Sequence, residues 1–369
     1  MGTLTSFFGG GGGSPLPQPE WLFQKSSYTY TFPYDGTVIV HVVGAGGSGA
    51  KQYNRYHGQG GGAGGYCRKQ FSVTSSTTAT VTTGIGGYYV GRNVNDAVGI
   101  NGTATTFVLG SDTLTANGGS GGDRYAGANA KAAGGTATGG DVNYTGGRSG
   151  SSSSSYINRG IATGGGAVDV FGLGTGGTDG GSLTNGGNEL ATGGGGIGGR
   201  GGNILNNGRA NATGGGGSAG PAQDLRNEIN NDGQETGGGA GGLRLFKFNG
   251  PFFDGRGGQG IVVSHNNTYA SSTFAVAPHE AGLGAGGGGL SMYNGNAYYG
   301  MNGQTAGIFG GGGGTMVHSG YFGSGGDATI GGGGGGASTF TANGGGGQSL
   351  LRSGKGGDGV VIIEYIERG

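Results

Sequence analysis

The feature that most limits this chain is its runs of consecutive glycine, at residues 193–196, 214–217, 286–289, 310–314 and 331–336. Glycine brings no side chain to bury, and fixing its backbone costs about 1–2 kcal/mol, more than for any other residue. A fold built on such runs needs a source of cohesion other than apolar burial. Extended three-residue-per-turn polyglycine II helices supply one. Lacking Cβ atoms, they lie close together, each N–H can meet a neighbour's C=O, and Cα–H to oxygen contacts add small increments. At ~3.1 Å per residue, a run of five or six glycines spans only ~15–20 Å, so many short rods are expected, joined by chain reversals that carry the other residues.

Composition separates this reading from its rivals. Glycine and proline together make 107 + 7 = 114 of 369 residues, about 31%, a level that often marks disorder. Disorder goes with high net charge and few aromatics, whereas this chain has 19 basic and 19 acidic residues and 17 Tyr, 15 Phe and 1 Trp. Collagen requires glycine at strict third positions with abundant proline, and neither holds across the chain. With only 10% charged residues and no net charge, the chain offers no electrostatic footprint for nucleic acid or an anionic membrane. Cys67 is the single cysteine, which excludes an intrachain disulfide framework and argues against a zinc site. The first twenty residues lack the pattern of a secretory signal, and no run of 18 apolar residues occurs, so no membrane insertion is expected.

The β-signals bracket the glycine-rich middle. Residues 1–25 combine a five-glycine run with PLPQP and the cluster Trp21, Leu22 and Phe23, and read as an extended N-terminal arm. Residues 26–117 hold strand-like segments: Tyr28, Tyr30 and Phe32 alternate with threonines, Pro33-Tyr34-Asp35-Gly36 reads as a turn, and 37–43, 66–73, 79–83, 103–109 and 112–116 follow. Residues 118–347 hold most of the glycine runs, with Ala-Thr-Gly-Gly recurring at Ala137, Ala162, Ala191 and Ala212, and Thr-Ala-Asn-Gly-Gly standing at both Thr115 and Thr341. Such recurrence suggests segments that bury themselves only against their neighbours. Residues 348–369 end in VVIIEYI, apolar enough for a central strand that completes the sheet structure. The spacing of Leu225 and Ile229 after Pro221 predicts one short helix over 221–231.

Motifs that would signal catalysis fail in context. Gly44-Ala-Gly-Gly-Ser-Gly49 matches a dinucleotide fingerprint after a strand, but no amphipathic helix follows and the next acid is Asp96. His41, His57, His265, His279 and His318 show no metal-ligand spacing, and no serine sits in a nucleophile elbow. Neither enzymatic activity nor a cofactor is expected.

The segments 28–50 (YTYTFPYDGTVIVHVVGAGGSGA), 60–87, the two TANGG strings and 356–365 (GGDGVVIIEY) together resemble the glycine-rich domain found in phage tail-fibre and tail-tip proteins and in the extracellular part of the anaplastic lymphoma kinase receptor. The resemblance implies an all-β fold, a TNF-like or jelly-roll-type β-sandwich with a large inserted bundle of packed polyglycine II helices and almost no α-helix. The receptor-kinase branch carries disulfides that one cysteine cannot form, which favours the phage branch. In T-even-like phage adhesins a related polyglycine layer presents receptor-binding loops.

The expectation is therefore a non-catalytic phage tail-fibre or tail-tip adhesin, made in the host cytoplasm and located in the virion. Its alternatives are a head or tail decoration protein without receptor binding, and a polyglycine-type ice-binding protein, which would show a flat face of regularly spaced threonines. Phe7, Phe8, Trp21 and Phe23 of the arm are candidates for docking to another virion protein. Candidates for the host-cell receptor, a glycan or an outer-membrane protein, are the spacer aromatics Tyr125, Tyr144, Tyr156, Phe252, Phe253, Tyr293, Tyr298, Tyr299, Tyr321 and Phe322. They lie among Gly, Ser and Asn, as in antibody loops, where rigid Tyr provides contact area and small residues provide adaptability. A homotrimer is one candidate assembly.

Overall fold

The computed structural model describes residues 16–53, 58–90, 97–123, 130–151, 160–161, 164–166, 177–182, 188–192, 194–196, 199–203, 205, 209–212, 215–216, 235–236, 261–264, 286–287, 290–293, 301–302, 305–307, 309–318, 323–340 and 352–368. All regular structure among them is β, with no helix; the helix expected over 221–231 lies outside the described residues. Along the chain, β1 (Glu20–Leu22), β2 (Tyr28–Thr31) and β3 (Gly36–Val43) lead into a glycine-rich stretch that ends in β4 (Lys51–Tyr53). A second such stretch feeds β5 (Tyr66–Val73), and a tight turn joins it to β6 (Thr78–Thr82). β7 (Thr105–Leu109), β8 (Asp112–Ala116), β9 (Ala137–Thr138) and β10 (Val142–Tyr144) follow. The long excursion 145–359 contains β11 (Gly160–Ile161), β12 (Asn188–Ala191), β13 (Arg209–Ala212), β14 (Glu235–Thr236), β15 (Ile261–Ser264), β16 (Leu290–Tyr293), β17 (Met301–Asn302), β18 (Thr315–His318), β19 (Gly323–Ser324) and β20 (Ala337–Phe340), and returns to β21 (Val360–Arg368).

Two antiparallel five-stranded sheets, β1-β21-β3-β5-β10 and β2-β6-β7-β8-β9, face each other over one apolar core. Period-2 alternation makes them: Val38, Val40 and Val42 of β3 meet Val361, Ile363 and Phe71 on one side, and Tyr30, Val81, Phe107 and Leu114 close the core from the other. The VVIIEYI segment is central, as its apolar run demands, paired with β1 and β3. At one end of the sheets the connections are tight. Phe32 to Asp35, Thr74 to Thr77, Gly110 with Ser111, and Gly139 to Asp141 turn the chain, and Gly110 and Gly139 adopt φ values of 59° and 86° that suit glycine.

At the other end β3, β6, β8 and β10 run on into rods, and β5, β7, β9 and β21 are fed by them. The backbone of residues 44–51 donates hydrogen bonds in strict rotation: 44, 47 and 50 to the carbonyls of 65, 62 and 59; 45, 48 and 51 to those of 103, 100 and 97; 46 and 49 to those of 357 and 354. Three further stretches donate back, through Gly87 to Gly46, through Gly119 and Gly122 to Ala45 and Ser48, and through Gly334 and Ala337 to Gly47 and Ala50. A period of three with six neighbours is the packing of polyglycine II helices, and the rods begin at Gly44, directly where β3 stops. The rods over 44–50, 84–90, 117–123 and 145–151 carry the chain away from the sheets; those over 58–65, 97–103, 130–136 and 353–359 bring it back.

Close approach dictates the residue choice. A Cβ on Gly46, Gly64, Gly312 or Gly333 would lie less than 3.0 Å from a backbone oxygen of an adjacent rod. Rods at the rim can keep one side chain per turn, and they do: Asn117, Ser120 and Asp123 point outward while Gly119 and Gly122 are buried, and Ile85 and Tyr88 are exposed while Gly86 and Gly87 are buried. The all-glycine stretches 310–314 and 331–336 are buried throughout. Beyond the rods, two parallel sheets, β15-β16-β18-β20-β4 and β11-β12-β13-β14, pack against each other, so the molecule is tiered as sandwich, rods, and second sheet pair.

Replacing Gly312 by Val should therefore destabilise the protein by about 3 kcal/mol, the upper range for overpacking, because only backbone stands in the way. Ser120→Ala, at an outward rim position, should change stability by less than ~0.5 kcal/mol. Denaturant titration of the two variants compares them directly; equal losses would mean that rod packing does not select glycine.

Candidate functional site

The rods have a polarity that follows from their hydrogen bonds. Residues 119 and 122 pair with 45 and 48 in rising order, and so do 334 and 337 with 47 and 50, so these rods run parallel, away from the sandwich. Residues 311 and 314 donate to 195 and 192 in falling order, which sets rod 192–196 against rod 310–314 and returns it toward the sandwich. Each outward rod is thus followed by an inward one. The connections 54–57, 91–96, 124–129, 152–159, 294–300, 319–322 and 341–351 all leave and re-enter the described residues at the end away from the sandwich.

Six of the aromatic candidates belong to these connections by sequence: Tyr125, Tyr156, Tyr298, Tyr299, Tyr321 and Phe322. They lie outside the described residues themselves, as do Phe252, Phe253, Phe7 and Phe8. Tyr293 is the last residue of β16, in the parallel sheet at that same end. Tyr144 stands elsewhere. It closes β10 at the junction of sandwich and rods, half-buried, with its ring stacked on Tyr66 at 6.3 Å and an interplanar angle of 10°.

The junction brings Phe309, which the sequence did not single out, together with Trp21 and Phe23, two of the arm's docking candidates. The rod hairpin over 305–314 reverses at Phe309, whose φ of 67° is costly for a residue with a Cβ by about 1–2 kcal/mol. The ring is completely buried, packed with Val43, Val360, Ile362 and Tyr66 on the outer face of the first sheet, and this burial holds the turn. Trp21 lies over it, 6.1 Å between ring centroids, and Phe23 stacks on Trp21 at 6.3 Å while remaining 46% exposed. The arm is therefore fixed to the sandwich from Glu20 onward, through β1 and the Trp21 contact. Lys25 extends the fixation with a 2.8 Å ion pair to Asp358. Burial alone would raise the Asp358 carboxyl; hydrogen bonds from Lys25 and the Gly86 amide, with the charge of Lys355, hold it below its ordinary range.

Beside this seam, His41 is buried, with Nδ1 2.8 Å from the Tyr66 hydroxyl and Nε2 3.4 Å from Glu364. The hydrogen bond from His41 outweighs the opposing effect of burial and, with the charge of Arg68, keeps the Glu364 carboxyl below its usual value. Farther along the rods, Asp179 ties three of them together by accepting from Lys131 Nζ at 2.7 Å and from the Arg148 backbone and guanidinium at 3.0–3.3 Å. The Cys67 thiol, buried in the core, is pushed up to about 12 by desolvation, which leaves it protonated and inert at neutral pH. Among the described residues no group of three or more His, Cys, Asp or Glu could hold a metal ion, and no helix is long and apolar enough to cross a membrane.

The model of a family described as a glycine-rich domain matches residues 23–267, 245 of the 369 residues. No curated protein matches the chain.

Glu364 adds stability that is complete above its unfolded value of about 4.3 and is lost as pH falls through its depressed folded value. Glu364→Gln should accordingly flatten the acid side of the stability profile below about pH 5. Urea titrations between acid and neutral pH test this; parallel profiles would show that the His41 pair contributes nothing.

Proposed function

Because the chain belongs to the glycine-rich domain family, we propose that it works as a non-catalytic bacteriophage tail-fibre or tail-tip adhesin. The observation that carries this reading is the one-way construction of the molecule. Short turns close one end of the sandwich, while the rods all open at the other, where the connections with Tyr125, Tyr156, Tyr298, Tyr299, Tyr321 and Phe322 belong. Since β1 runs antiparallel to β21, and β21 runs away from the rods, the chain before Glu20 leads toward the short-turn end. On this reading, attachment to another virion protein through the arm and recognition of a host-cell surface would use opposite ends, as suits an adhesin.

Rods also suit recognition energetically. A connection anchored at both ends on packed rods has a smaller ordering cost to meet on association than a free loop. Near-zero net charge fits a glycan or a loop of an outer-membrane protein better than a polyanion. A virion decoration protein would share the scaffold without the receptor role, and binding of purified protein to host cells separates the two.

Substituting Tyr298 and Tyr299 together by Ala should reduce host adsorption at least tenfold, about 1.4 kcal/mol, with the melting temperature nearly unchanged. Unchanged adsorption would move the receptor site elsewhere, and a large loss of stability would make the pair structural. Deleting residues 1–14 should leave folding intact, because among the described residues the arm's pairing with the sandwich begins at Glu20, and should abolish incorporation into particles. Normal incorporation would refute the docking role.

A further inference from the structure

The outer faces of the two antiparallel sheets differ in kind. On the first sheet the residues that reach solvent include Glu364, Arg68, Gln70 and Glu367, and its upper part is covered by Phe309 and Trp21. Among the described residues no element covers the second sheet, and its strands alternate core residues with threonine. Register aligns these in rows across the strands: Thr29, Thr80, Val108 and Thr113 form one, and Thr82, Thr106, Thr115 and Thr138 the next. None of the eight is charged.

Threonine is a favoured residue on a solvated strand face, and cross-strand threonine pairs stabilise a sheet, so the rows alone require no partner. What lies above them does. β6 continues into the rod with Ile85 and Tyr88, 46% and 57% exposed, and β7 is fed by the rod with Val98 and Ile100, 51% and 48% exposed. The Thr103 amide donates to the Ile85 carbonyl at 3.1 Å, which keeps these rods side by side in line with the two strands. Four of the seven large apolar side chains exposed among the described residues thus stand together, directly above a face of hydroxyls and methyls. Contiguous exposed apolar surface of this kind marks an interaction site, and the scarcity of charge matches the centre of an interface.

We propose that this uncharged face, the threonine rows with Ile85, Tyr88, Val98 and Ile100, is where a second copy of the chain packs, sheet against sheet. The inference is independent of the adhesin reading. The eight sheet positions and the four rod side chains carry no charge. The ions next to the patch are Lys25, paired with Asp358 beside Ile85, and Asp123 on the rod beside Val98. Two copies can therefore meet over these twelve residues without burying a charge, whereas a charged partner would lose hydration against threonine methyls without gaining a counter-ion. Short side chains let two sheets approach to the ~10 Å of aligned packing. Five strands at ~4.8 Å spacing and the rod patch above them give a footprint on the order of 500 Å². That falls below the roughly 800 Å² per partner of a permanent interface and fits a reversible dimer.

Sedimentation velocity of the full chain from about 1 to 100 μM tests this, with Thr80→Lys/Ile100→Lys as the comparison. Both positions are exposed, so thermal melting should show the variant folded. The wild type should sediment faster as concentration rises, and the variant should associate at least tenfold more weakly. A wild type that stays monomeric throughout, or a folded variant that associates equally, overturns the proposal. Thermal hysteresis by a monomeric wild type, lost in the variant, would also overturn it and assign the threonine rows to ice.

Discussion

Everything in this molecule depends on backbone meeting backbone without a Cβ between. In an ordinary domain, side chains fill the space between elements and backbone hydrogen bonds stay within sheets or helices. Here the rods place amide against carbonyl in six directions, and the stretches with the least side chain are the most deeply buried. Net hydrogen-bond energies of about 1 kcal/mol are small singly, but a buried amide left unpaired costs more than that. The lattice is therefore held as much by what any gap would cost as by what each bond contributes.

The sandwich and the rods are one construction. A β-strand repeats every two residues and a polyglycine rod every three, and the chain changes from one period to the other at Gly44, Gly65 and Gly359 without a linker. The sandwich supplies the apolar core that glycine cannot, and it fixes the spacing and alternating direction from which the rods start. Between residues 152 and 352 the described rods adjoin no strand of the sandwich along the chain. They are pinned instead where Phe309 and Ile330 land on the first sheet's outer face, beside Trp21 and the His41 cluster.

Strands and glycine runs were legible in the sequence because each carries a local signal. Alternation gave β2, the β-branched run gave β3, and VVIIEYI gave the central strand. Gly44 to Gly49 was visible only as a failed nucleotide loop, since nothing local distinguishes a rod from a phosphate-binding turn; the difference lies in six neighbours, the farthest of them over 300 residues away. A local Gly-Gly-x phase, as in 117–123, was available as a signal for rim rods, but it is too short and too often interrupted to pass a collagen-like test. Trp21 read as part of a free arm because β1 has only three residues, too few for a period to show. Whether an aromatic serves a seam, as Tyr144 does, or belongs to an open connection depends on rod direction, which composition does not encode.

The three-residue period also governs how such a chain can change length. Adding one residue within a rod turns everything beyond it by a third of a revolution, so that the side chain of a rim position swings into a neighbouring backbone and the donors lose their partners. Adding three restores every contact and displaces the following segment by ~9 Å along the axis. Within the rods, insertions and deletions are thus confined to multiples of three, and the open connections carry no such phase. A lineage of these chains would show a reading frame of structure: triplet steps in the glycine lattice, and free variation where the rods end.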